Sequence, residues 1–122
     1  MRRLNFLFAV SFVLFTSGQA MALTLTQDLC RAWGAGNKAY CQSGDCRGIV
    51  GGNAGECDSN DCRGIASGNY AYCETIDCRA IVLKNSALCE TNNCRAIVSG
   101  DAGYCDNDYC RGIVLHEARY CH

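Results

Sequence analysis

The residues of this chain best equipped for chemistry are its twelve cysteines. They stand at 30, 41, 46, 57, 62, 73, 78, 89, 94, 105, 110 and 121, so the gaps alternate between 11 and 5 without exception. Two chemistries suit such a set: pairing as disulfides, or binding a soft ion such as Cu(I) or zinc through thiolates. Zinc sites favour C-x-x-C spacing, which is absent, and no second ligand type recurs in register. An even count with no cysteine left over fits a disulfide framework (Cys30, Cys41, Cys46, Cys57, Cys62, Cys73, Cys78, Cys89, Cys94, Cys105, Cys110 and Cys121). Thiolate binding of copper or zinc stands as the alternative.

Little else could do catalysis. The only histidines are His116 and His122, and no G-x-S-x-G elbow occurs. The lack of C-x-x-C also argues against a disulfide oxidoreductase, and the lack of C-x-x-C-H against covalent haem. The acidic stretches Asp58–Asp61 and Asp106–Asp108 lack the glycine and distant glutamate of a calcium loop and read as caps. No enzyme, metal ion or cofactor is expected.

An arginine follows the first cysteine of every unit: Arg31, Arg47, Arg63, Arg79, Arg95 and Arg111. A cation in the first turn of a helix opposes its dipole by roughly a few tenths of a kcal/mol, so six occurrences require a reason. One is structural, with stems packed along the array and heads paired to Asp61, Asp77, Glu74 and Glu90. The other is a stripe that contacts an anionic or protein partner. Arg47, Arg63, Arg79 and Arg95, with Tyr70 and Tyr109 outside the core register, are the candidate partner contacts.

Met1-Arg2-Arg3, an apolar run from Leu4 to Phe15 and the Ala20-Met21-Ala22 signature read as a secretion signal, residues 1–22. The run is shorter than the ~20 residues of a membrane span. Export by the general secretory route is expected, with cleavage after Ala22 and residence in the periplasm or outside the cell. Removing Arg2 and Arg3 from the 11 Lys+Arg leaves 9 against 12 Asp+Glu, a net charge of −3. That balance argues against a nucleic-acid partner. The remaining ~100 residues hold all twelve cysteines, above the roughly 8–10 % that marks a disulfide scaffold, with few large aliphatic residues and no proline.

The elements that must position these groups follow from the spacing. After a lead at 23–29, six units repeat every sixteen residues: 30–45, 46–61, 62–77, 78–93, 94–109 and 110–122. Each reads Cys-Arg-small-Ile-Val-x-Gly-Asn-x-small-Tyr-Cys and then a polar stretch. The pattern predicts two very short helices per unit, the first capped by Asp45, Asp61, Asp77 or Asn93 and ended by Gly36, Gly52, Gly68 or Gly100. Asn37, Asn53, Asn69, Asn85 or Asp101 caps the second. The fold class is all-α, a disulfide-stapled short-helix solenoid, with a disulfide-stapled β-solenoid as the alternative. The design resembles that of secreted Sel1-like helical repeats, whose helix pairs each carry a disulfide, although their repeat is much longer and no residue carries over.

Since the array opens on Cys30 and closes on Cys121, pairing within units (30–41, 46–57, 62–73, 78–89, 94–105, 110–121) uses every cysteine. Pairing across the five-residue gaps strands those two at opposite ends. A core stripe of Ile, Val and Tyr is expected between units, with Tyr40, Tyr72, Leu88, Tyr104 and Tyr120 inside it. Trp33-Gly34-Ala35 and His116, Glu117 and Arg119 read as end caps. The expected function is that of an exported binding or structural module for a macromolecular or envelope partner, with no oligomeric state implied.

Overall fold

The computed structural model describes residues 24–122, so the signal segment at 1–22 lies outside the described residues. Six α-helices follow one another: α1 (Gln27–Ala35), α2 (Gly44–Gly51), α3 (Asn60–Ser67), α4 (Ile76–Leu83), α5 (Asn92–Ser99) and α6 (Asp108–Leu115). After each comes one 3₁₀ turn, from Lys38–Tyr40 in the first unit to Ala118–Tyr120 in the last. The described residues contain no strand. The chain is all-α, and the β-solenoid is set aside.

Helices of eight or nine residues are marginal alone, so their ends carry much of the local specification. Ser43, Ser59, Thr75, Thr91 and Asn107 are the N-caps of α2 to α6, each accepting from the backbone N–H of the cysteine three residues on. Asp45, Asp61, Asp77 and Asn93, expected as the caps, therefore lie inside the helices, at their second residue. At the other end Gly36, Gly52, Gly68 and Gly100 are left-handed as expected, but Lys84 and His116 hold the same conformation at φ 56°. For those two residues this costs about 1–2 kcal/mol each. The next residue donates its N–H back to the third position of the unit (Asn37 to Ala32, Asn53 to Gly48, Asn69 to Gly64), which closes the helix as a Schellman motif. The side chains of Asn37, Asn53, Asn69, Asn85 and Asp101 then cap the 3₁₀ turns, as their spacing indicates.

The displaced aspartates join one unit to the next. Asp61 accepts from Glu74 N at 2.6 Å and from Thr75 Oγ1 at 2.7 Å, and Asp77 accepts from Glu90 N and Thr91 Oγ1, both at 2.6 Å. Both are almost fully buried, at 2 % and 1 % exposure. Each thus fixes the residue that caps the following helix. In the same register Asn93 keeps one bond, to Asp106 N, and Tyr109 donates its hydroxyl to the His122 carbonyl. Asp77→Ala is expected to cost about 2–3 kcal/mol, because buried hydrogen bonds to a charged acceptor are lost, and Asp77→Asn about 1 kcal/mol, following the precedent of Asn93. Denaturant unfolding of the oxidised protein measures both; equal stability of Asp77→Ala and the parent would contradict the linking role.

The array is not open. Each helix packs on its two sequence neighbours, and α1 packs on α6, while the last 3₁₀ turn lies against α6 and α1 as its counterparts lie between theirs. Six units form a closed ring. The disulfide pairing expected within units is overturned by this closure. The bonds are 41–46, 57–62, 73–78, 89–94 and 105–110, with Cα separations of 5.4 to 5.6 Å, and the ends are joined by Cys30–Cys121 at 5.7 Å. The two cysteines an open array strands are neighbours in a ring. Among the described residues no cysteine is free.

The core is correspondingly made of sulfur and small residues rather than tyrosine. Cys30, Cys46, Cys62, Cys94 and Cys110 are fully buried with Ala32, Ala80 and Ala96. The third position is small because the disulfide lies against it: a Cβ on Gly64 would sit 2.8 Å from Cys73 Sγ, and one on Gly112 2.6 Å from Cys30 Sγ. Ile49, Ile65 and Ile81 with Trp33 are half-buried around the Leu29, Ala32 and Cys46 cluster. Leu25, in the lead, packs on that cluster and on Ala96, Cys105 and Cys110, so it bridges the seam between the first and last units.

Candidate functional site

The sequence points to two surfaces and one sulfur chemistry, and the ring places each of them. Asp45 with Cys57 and Cys62, Asp61 with Cys73 and Cys78, and Asp77 with Cys89 and Cys94 each bring a carboxylate oxygen and two sulfurs within 4.8 Å of one another. In each group the two sulfurs are bonded together, and the carboxylate receives hydrogen bonds from the next unit. The sulfurs are cystine sulfurs, not thiolates.

Three of the arginine heads turn to backbone rather than to Asp61, Asp77, Glu74 or Glu90. Arg63 Nη2 donates to the Cys57 carbonyl at 3.3 Å, Arg79 Nη2 to Cys73 at 3.5 Å and Arg95 Nη2 to Cys89 at 3.2 Å. Each carbonyl belongs to the cysteine that ends the preceding 3₁₀ turn. In these three units the arginine braces its helix to the unit before. Because each helix starts three residues ahead of it, the cation stands at the end of the first turn rather than at its start. Asp61 and Asp77 are occupied elsewhere. Arg63 and Arg95 also reach Asn60 and Asn92, and Arg47 pairs with Glu56 through Nε at 3.3 Å. At such exposure an ion pair contributes about 0–1 kcal/mol.

Tyr70 is exposed, as its register indicates, whereas Tyr109 is half-buried and tied to the chain end. Beside it Asp108 accepts from Arg111 Nη1 at 2.8 Å and lies 3.3 Å from His122 Nε2. The His122 ring, and then the Arg111 guanidinium, hold the Asp108 carboxyl below its ordinary range. Tyr109 thus belongs to a pinned C-terminus.

Sequence reasoning missed the larger exposed set. Tyr40, Tyr72, Leu88 and Tyr104, assigned to the core, are 52, 48, 40 and 49 % exposed. They end the 3₁₀ turns, at the eleventh position of their units. A 3₁₀ turn stacks residue i over i+3, so each sits over the Asn or Asp that caps the turn. Glu56, the one polar residue at this position, signals that the site faces water.

Fold and site together define a class: a ring of six helix-plus-3₁₀ units, closed and stapled by disulfides, with one aromatic or aliphatic residue displayed by most units. No protein-family model, curated protein or solved structure matches the chain.

Proposed function

We propose that this chain is an exported, non-enzymatic ring that binds a macromolecular or envelope partner through its displayed tyrosines. Six disulfides accord with an oxidising compartment outside the cytoplasm, and no described helix is long and apolar enough to cross a membrane. The leader at 1–22 gives the finer reading: Sec-type export, cleavage after Ala22 and release to the periplasm or medium.

The observation that carries the reading is the recurrence of half-exposed Tyr40, Tyr70, Tyr72 and Tyr104 on a frame held by covalent bonds. Tyrosine supplies large contact area at low cost in side-chain entropy and is enriched where proteins meet partners. A cross-linked frame loses little freedom on binding. Arg79 reaches the end of the Tyr70–Tyr72 turn at the Cys73 carbonyl and would add charge at the rim of such a contact, with Arg47, Arg63 and Arg95 beside the turns of the neighbouring units.

Cosedimentation of the oxidised protein with isolated cell envelopes tests this. Tyr70→Ser with Tyr72→Ser is expected to weaken binding at least tenfold while leaving the disulfides and thermal unfolding unchanged, since neither residue is buried. Arg63→Glu with Arg79→Glu is expected to weaken it less. Undiminished binding by the tyrosine variant would contradict the proposal.

Thiolate metal handling is the second reading, favoured by the three Asp–Cys–Cys groups. It requires reduced sulfurs, so copper or zinc retained by protein purified with free thiols would put it first.

A further inference from the structure

Ring closure brings together residues that a linear reading places at opposite ends. Three of them break the repeat's own pattern. Gly34 stands where four other units have Val and one has Ala, and its place against the Gly112 carbonyl explains it as a requirement of closure. Trp33 and His116 have no such explanation. Trp33, the only tryptophan of the chain, replaces an isoleucine present at the fourth position of all five other units. His116 replaces the glycine found at this helix end in four units, although the backbone there is left-handed.

These two departures line one cavity. It has a volume of about 160 Å³ and is walled by Trp33 of α1, Ile97 and Gly100 from the fifth unit, and Ile113, Val114 and His116 from the sixth. Ile113 is buried, Trp33 is half-buried, and His116 is exposed at the mouth. No acidic side chain lines it, so it lacks the donor set of a cation site. The side chains around it are aliphatic apart from the Trp33 indole and the His116 imidazole, polar backbone atoms share the lining, and it is half open to solvent.

We propose that this seam pocket binds one small neutral aromatic ring bearing a hydroxyl, of the phenol class. The volume is of the right order, since a closed aliphatic cavity of about 150 Å³ accepts a benzene ring, and here the open mouth leaves one edge of the ring in water. Trp33 offers a surface for offset or edge-on ring packing, and the His116 imidazole a hydrogen-bond partner for the hydroxyl. The glycine at 100 leaves the rim open where a side chain would narrow it. This site is distinct from the displayed tyrosines and does not depend on them.

The test uses p-cresol and the oxidised full-length mature chain. Titration is followed through the indole N–H resonance of Trp33, and affinity is measured by calorimetry. A saturable shift with a Kd of roughly 0.1–1 mM is expected for a ligand of this size. His116→Gly restores the residue that four of the other five units use and relieves a left-handed backbone, so it is expected to fold at least as well and to bind about tenfold more weakly. Trp33→Ile restores the repeat consensus and is expected to abolish binding. Cyclohexane-1,4-diol, polar on both edges and without an aromatic face, is expected not to bind. Absence of a saturable response, or p-cresol binding unchanged by His116→Gly, would overturn the proposal.

Discussion

Replacing Cys30 and Cys121 together by alanine is expected to lower the unfolding free energy of the oxidised protein by about 4.5 kcal/mol. The same replacement at Cys73 and Cys78 is expected to cost only about 2 kcal/mol. The difference comes from what each bond closes. Cys30–Cys121 spans 91 residues of sequence, whereas every other bond spans five. Cross-linking a long loop removes more freedom from the unfolded chain, and the dependence is logarithmic, which gives roughly a factor of two. Both bonds are equally buried, so loss of packing does not separate the variants. Denaturant unfolding of the two pair variants, with the other five disulfides verified intact, measures this. An open solenoid with bonds inside its units loses two bonds of equal span in either variant, so equal costs, with only four disulfides left in each, would favour it.

The second large effect is expected at Gly34. Gly34→Val installs the residue that Val50, Val82, Val98 and Val114 supply elsewhere, so local helix preference and repeat consensus raise no objection. Closure does. A Cβ at Gly34 would stand 3.0 Å from the Gly112 carbonyl oxygen and 3.7 Å from the backbone nitrogens of Glu117 and Ala118, and valine adds two methyls to that crowded point. All three neighbours are backbone of the sixth unit, which has no rotamer to change. Overpacking of this kind costs about 3 kcal/mol, and here it acts on the seam that Cys30–Cys121 must cross. The expected result is a protein with two alkylatable thiols, at Cys30 and Cys121, and five intact disulfides. Full oxidation with unchanged stability would contradict the close approach of α1 to the sixth unit.

Much of the architecture was legible. The sixteen-residue period, the helical class, the left-handed glycines and the Asn caps of the second segment all follow from local rules, and the structure holds each of them. The N-caps were legible too but were assigned to the wrong residue: Ser43, Ser59, Thr75 and Thr91 stand three residues before a cysteine, while Asp45, Asp61 and Asp77 adjoin it and drew the assignment. An aspartate can serve a neighbouring unit as readily as its own helix, and sequence does not say which. The tyrosines were misplaced because an α-helical period was applied to a three-residue 3₁₀ turn.

The pairing was misread for a different reason. Whether an array closes depends on the rotation between successive units, summed over six of them, and no local pattern reports that sum. Traces of closure were nonetheless present. Gly34 lacks the side chain its counterparts have, and Leu29 replaces the polar residue that precedes the first cysteine in most later units; it is buried in the core at 3 % exposure. Gly34 was assigned to a terminal cap and Leu29 to the lead before the first unit. In the ring they lie at an interior seam.

Trypsin offers the most direct test, because an arginine follows the first cysteine of every unit. Cleavage after Lys38, Arg47, Arg63, Arg79, Lys84, Arg95, Arg111 and Arg119 puts each bond 41–46, 57–62, 73–78, 89–94 and 105–110 within a single peptide. A closed ring therefore predicts, in a digest of the denatured but unreduced protein, five separate peptides each lighter by two hydrogens. It also predicts one cross-linked product, the peptide ending at Arg31 joined to Tyr120–His122. Bonds within units would instead tie 39–47 to 48–63, 48–63 to 64–79 and onward along the chain. Recovery of that linked assembly, with no Cys30–Cys121 product, would contradict the ring.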